Sequence, residues 1–150
     1  MQIGTNPKST ISIAGHPVHV MLVPFVIAFY TGVFAADLTY AYTTDPFWAE
    51  GAWWLLIAGV VMSALAATAG ILDFLLEPKI RALPAAWWHF GGNALAALIS
   101  IVDLYLRWQD GMEASSERFI WLSLAVFLLL LFNGWKGWEM VYRHHVGVSD

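Results

Sequence analysis

Four stretches of this 150-residue chain contain no Asp, Glu, Lys or Arg: Ser9–Ala36, Gly51–Leu72, Ala82–Val102 and Phe119–Trp135. With allowance for polar ends, the pattern predicts helices at about 17–41, 53–76, 85–108 and 118–143. Each is close to or longer than the ~20 residues that cross ~30 Å of hydrocarbon. A helix is the form in which one such segment satisfies its own backbone groups in lipid. The breaks agree with the pattern. Pro17 suits a first helical position after His16, and Pro24 lies inside the first span, where a kink is expected. Asp45-Pro46 separates spans one and two, Glu77-Pro78 ends span two, and Pro84 opens span three. Gln109-Asp110-Gly111 closes span three, and Ser115-Ser116-Glu117 reads as a cap for span four. Short connections make neighbouring spans antiparallel. The expected architecture is all-α: one integral-membrane, up-and-down four-helix bundle over residues 1–150, without an internal repeat or second domain.

Composition narrows this further. The chain is 59% hydrophobic and 12% charged, against roughly 25% charged in soluble domains. That leaves too little polar surface for a soluble globule. A net charge of -4 without a basic run argues against a nucleic-acid partner. The lack of Cys excludes disulfides, thiolate iron–sulfur ligation and thioether haem attachment. Residues 1–14 are mixed and polar, so the first apolar segment is expected to be a permanent span, not a signal peptide.

Basic residues orient the bundle. The side carrying the N-terminus, side one, holds Lys8, Lys79, Arg81, Lys136 and Arg143; side two holds Arg107 and Arg118. The positive-inside rule then places both termini in the cytoplasm. Trp48, Trp53, Trp54, Trp108 and Trp121 fall toward side two, and Trp87, Trp88, Trp135 and Trp138 toward side one. The plain reading is an aromatic belt; Trp88 or Trp138 against a cofactor is the alternative. Gly59, Ser63, Ala67 and, offset, Ala66 and Gly70 suit close helix packing on span two. Asp37 and Asp103 lie near the side-two ends and are expected to be interfacial, with a proton or quinone role as the alternative.

The candidate chemistry lies at the other end. His16 and His19 open span one, His89 lies early in span three, and His144 and His145 end span four, all on side one. Imidazole is a common ligand for haem iron and other metals, and helical bundles hold cofactors between facing helices. Spans one and three are diagonal in such a bundle, so His16 or His19 can face His89 across the axis, with His144 as a further ligand. Asp73 or Asn93 is placed to hydrogen-bond a ligand's other ring nitrogen. Arg81, Lys79 and Arg143 are placed to meet propionates. The plainer readings are helix capping or headgroup contact for His16 and His19, and helix-dipole stabilisation for His144. His89 is deeper, where an ionisable group points to function. Zinc or non-haem iron competes: the i, i+3 spacing of His16 and His19 with Asp73 supplies two histidines and a carboxylate. No His-Glu-x-x-His motif or Gly-rich phosphate loop is present.

Gly15-His16-Pro17-Val18-His19-Val20-Met21-Leu22-Val23 is similar to the opening signature of a bacterial four-span membrane family of unknown function. That signature typically reads Gly-His-Pro-Leu-His-Pro-Met-Leu-Val-His-Phe-Pro. Gly70 with Asp73, and His89 with Asn93, match its second and third spans. Gly134-Trp135-Lys136-Gly137-Trp138 and Val141-Tyr142-Arg143-His144-His145-Val146-Gly147-Val148 resemble its closing signature. The chain departs from the pattern at Pro24, where the family often has a third histidine, at Val26, and at His145, where it usually has glycine. The matching terminal ligand is therefore His144. Some members of that family are joined to Rieske-type domains, which implies electron transfer in a bacterial inner membrane.

The combined expectation is a small b-type cytochrome-like electron carrier. Haem b would be held by His16 or His19 with His89, supported by His144. The alternatives are a non-catalytic accessory subunit of a larger membrane complex, and a membrane protein binding zinc or non-haem iron. Expected partners are the lipid bilayer, a redox partner or larger complex, and a second copy of the chain.

Overall fold

The computed structural model describes residues 6–113 and 116–148. Four helices dominate: α1 (Val18–Thr43), α2 (Pro46–Leu76), α4 (Pro84–Asp110) and α5 (Ser116–His144), with a one-turn helix α3 (Pro78–Arg81) between α2 and α4. All four long helices are long and apolar enough to cross a membrane. α2 starts well before the expected residue 53. The Asp45 carboxylate accepts the Phe47 N–H at 3.0 Å, and Pro46 needs no donor in the first turn, so the Asp-Pro break restarts a helix at once. α1 continues through Pro24. Of the residues read as a cap for span four, Ser115 lies outside the described residues.

The chain enters the bundle through a small antiparallel hairpin, β1 (Ser12–Ile13) and β2 (His16–Pro17), in which Ile13 pairs with His16. Its two-residue loop is Ala14-Gly15, with φ of 50° and 82°, the sign a type I′ turn requires at both positions. Pro17 is therefore the residue before α1, not its first residue.

The four long helices share one rule for what faces inward. The buried or half-buried line on α1 is His19, Val23, Val26, Tyr30, Val33, Asp37 and Tyr40. On α2 it is Ala52, Leu56, Gly59, Ser63, Ala66, Gly70 and Asp73. On α4 it is Ala86, His89, Asn93, Ala96, Ser100, Asp103 and Arg107, and on α5 Phe119, Ser123, Val126, Leu130, Asn133, Gly137 and Met140. Each line steps alternately by three and four residues, the heptad spacing that lets near-parallel helices interlock. The buried polar side chains of these helices lie on these lines, while Leu, Ile and Trp crowd the outer faces. A bilayer dictates this: the outside is solvated by lipid, so small and polar residues mark the inside.

α1 packs on α2 and α5, and α4 packs on α5 and α2, which leaves α1 and α4 diagonal. Glycines set the closest approaches. A Cβ at Gly59 would lie 2.7 Å from the Tyr30 ring, and one at Gly32 would lie 3.1 Å from Leu55. Ala67, expected on the packing face, is exposed; Ala66 takes that place. Trp54, Trp87, Trp88, Trp108, Trp121, Trp135 and Trp138 point outward, as a belt does.

Candidate functional site

His19 is the second residue of α1, and its Nδ1 lies 2.8 Å from the carbonyl oxygen of Ala66 on α2. His89, in the second turn of α4, places its Nδ1 2.9 Å from the carbonyl oxygen of Asn133 on α5. A carbonyl only accepts, so each Nδ1 carries the hydrogen and donates it. In the neutral ring Nε2 then keeps its lone pair, which is the form that binds a metal. The two rings come together across the bundle, with centroids 6.0 Å apart and planes at 84°.

The two anchors are built alike. In a helix the carbonyl of one residue points toward the residue four further on. That residue is Gly70 after Ala66 and Gly137 after Asn133. A Cβ at Gly70 would sit 2.8 Å from His19 Nδ1, and one at Gly137 would sit 3.2 Å from His89 Cε1. Both glycines clear the space that the imidazole fills. α1–α2 and α4–α5 thus repeat one device, a histidine from the first helix of a hairpin held on a carbonyl of the second.

Below His89 lies a pair of amides. Asn93 Nδ2 donates to the His89 carbonyl at 2.8 Å, and Asn133 Nδ2 donates to Asn93 Oδ1 at 3.2 Å. Among the described residues Asn133 Oδ1 has no hydrogen-bond partner; it is buried, packed against Gly92. Asn93 was expected to orient a histidine through its ring nitrogen. It donates instead to the His89 backbone carbonyl within α4, and the ring itself is held by the Asn133 carbonyl, a contact that no side-chain pattern announces.

Other expected site residues are placed elsewhere. His16 sits on the exposed hairpin, not on α1, so the helical i, i+3 pair with His19 does not form. Asp73 faces the N-terminal segment. Its carboxylate accepts from Ser9 Oγ at 2.7 Å, Thr10 N–H at 2.6 Å and Ile11 N–H at 3.0 Å. Arg81 donates from Nη1 to the carbonyls of Leu75 and Phe74, closing the C-terminal end of α2. Arg143 pairs with Glu139 at 3.4 Å. His144 is half-buried at the end of α5, two turns beyond Gly137 on the inward line, and His145 beside it is exposed. Trp88 and Trp138, the alternative cofactor contacts, are 64% and 52% exposed and face outward. Among the described residues, no cluster of three or more His, Cys, Asp or Glu side chains is arranged to hold a metal ion.

A second polar centre closes the side-two end. Arg107 donates from Nη1 and Nη2 to Asp37 at 2.9 and 2.7 Å, and from Nε and Nη2 to Asp103 at 2.9 and 3.2 Å. All three side chains are at least nine-tenths buried, and the guanidinium lies 4.4 Å from the Phe119 ring centroid. Asp37 and Asp103 were expected at the interface; instead Arg107 draws both inside. The signal was in the spacing: Asp103 and Arg107 continue the line of His89, Asn93, Ala96 and Ser100. Midway between the two centres, Ser63 Oγ donates to Tyr30 Oη at 3.0 Å.

Neither a curated protein nor a solved structure matches the chain. One family model does, described as a predicted membrane protein (DUF2231), and it matches residues 15–150. The match takes in both anchored histidines, both glycines and the buried Arg107 centre, and on its extent the chain belongs to the DUF2231 family of membrane proteins, whose function is unknown.

Proposed function

We propose that the protein is a small membrane electron carrier whose haem b is held between His19 and His89. The observation that carries this reading is the pair of rings itself: two imidazoles, each anchored through Nδ1, with centroids 6.0 Å apart. Metal–imidazole bonds are about 2.0–2.1 Å, so the 6.0 Å separation of the rings would let both reach one ion. The donor set favours haem over a bare ion. Zinc sites take three or four protein ligands, whereas the described residues bring two histidines together without a third ligand. A porphyrin would supply the iron's remaining ligands, so His19 and His89 alone would hold the group.

When bound, the haem iron supplies reversible one-electron chemistry. The chain's part is to fix the ligands. The Ala66 and Asn133 carbonyls hold each ring in one tautomer and fix its orientation. The Asn93–Asn133 amides stiffen the α4–α5 contact that carries His89. The basic residues Lys8, Lys79, Arg81, Lys136 and Arg143 on side one support placing this end, with both termini, at the cytoplasmic face.

The test is a visible absorption spectrum with metal analysis on gently solubilised protein. A Soret band that is lost in both His89→Ala and His19→Ala, and kept in His16→Ala, is the expected result. Colourless protein that neither carries haem as purified nor binds added haem overturns the reading.

A further inference from the structure

We infer that the Asp37–Arg107–Asp103 cluster is a proton-binding site within the bundle, holding one proton on the Asp103 carboxyl group. This does not depend on the haem reading. Two carboxylates on one guanidinium leave a net charge of minus one. The three side chains are 4%, 1% and 2% exposed for Asp37, Arg107 and Asp103. An uncompensated buried charge is far costlier than a neutral group, and an acid in that position takes up a proton instead. Buried at the side-two end of the spans, the charge is poorly screened by water, and an ionisable group placed there points to function.

Among the described residues, no second cation forms an ion pair with either carboxylate. α2 presents Ala52 and Leu56 to this end of the core. α5 presents Phe119, which covers the guanidinium. Arg118, next along α5, lies 5.3 Å from the Phe119 ring centroid and attracts Asp103 from a distance, but it is 41% exposed and its ion pair is with Asp110. An exposed cation already paired elsewhere compensates a buried carboxylate only in part, whereas one proton balances the cluster fully.

The hydrogen bonds locate the proton. Asp37 receives both ends of the guanidinium fork at 2.9 and 2.7 Å, the strongest geometry for a carboxylate. Asp103 receives Nε at 2.9 Å but Nη2 at only 3.2 Å. Asp103 Oδ2 is thus the least satisfied of the four oxygens. It also shares Nη2 with Asp37 Oδ2, so the two oxygens lie on one donor. A proton on Asp103 Oδ2 leaves the other three bonds intact.

The experiment uses the full chain in lipid nanodiscs with ¹³C-labelled aspartate, read by infrared spectroscopy at neutral pH. The expected result is a protonated-carboxyl band that shifts in D₂O, disappears in Asp103→Asn and persists in Asp73→Asn. Asparagine imitates the neutral acid, so Asp103→Asn should melt within a few degrees of the native protein. If a variant does not fold, the native sample alone still decides. Absence of a protonated aspartate band at neutral pH shows both carboxylates ionised and overturns the inference, as does a band unchanged in folded Asp103→Asn.

Discussion

A methyl group added at Gly70 would meet His19 Nδ1 at 2.8 Å, and one at Gly137 would meet His89 Cε1 at 3.2 Å. The first distance is too short for any contact, while the second asks the ring to give by a few tenths of an ångström. Gly70→Ala should therefore push His19 off the Ala66 carbonyl, and Gly137→Ala should only strain His89. Overpacking of this kind costs about 1–3 kcal/mol. ¹⁵N spectra of the histidine rings provide the check, because loss of the Nδ1 hydrogen bond changes the tautomer balance. A Gly70→Ala protein with an unchanged His19 signal would refute this account of the glycine. Gly15 has a different task. Its φ of 82° closes the hairpin turn, and that turn carries His16 away from His19.

At the scale of the helix, the contact between α1 and α2 rests on Tyr30 lying in the notch at Gly59. The ring is 3% exposed, and its hydroxyl receives the Ser63 hydrogen bond. Gly59→Ala puts a carbon 2.7 Å from that ring, so the helices must separate or the tyrosine must leave. The expected loss is about 1–3 kcal/mol. Ser63→Ala removes one hydrogen bond and should cost only about 0.5–1.5 kcal/mol. Thermal or denaturant unfolding in one detergent gives the comparison. Equal effects would mean that the notch does not set the helix spacing. α4 shows the pattern in its purest form: from His89 to Arg107 its inward line is polar apart from Ala96. A polar line on a lipid-facing surface would be costly, so α4 can be oriented in only one way.

Over the whole molecule, the two ends of the chain close side one together. Asp73 on α2 receives three hydrogen bonds from residues 9–11, and the Gly147 N–H donates to the Pro7 carbonyl at 2.8 Å. Val146 packs beside the Phe74, Ile80 and Ala86 cluster. This cover lies at the same end as His19 and His89. Asp73→Ala should free the strap while leaving the helices in place. Hydrogen exchange should then speed up at Thr10 and Ile11, with the amides in the middle of α2 unchanged. Exchange at the strap equal to that of the native protein would show that the carboxylate does not hold it.

The run of apolar residues made the four helices and their order legible, because hydrocarbon tolerates no other form of such a segment. It also made legible the end of the bundle at which the histidines gather. The heptad lines were present but hidden: with apolar residues on every face, hydrophobic periodicity no longer points inward, and small and polar residues carry that information instead. Read that way, Asp103 and Arg107 fall in line with His89, and Gly59 and Gly70 with Asp73. Only the tertiary structure decided the partners. Asp37 lies 70 positions from Arg107, and the anchors of His19 and His89 are backbone carbonyls, which every residue has. Which carbonyl is used depends on where a glycine lets the neighbouring helix approach, and that is a property of packing. The same holds for His16: its spacing from His19 fits a helix, but a tight turn and a strand pairing place it outside the bundle.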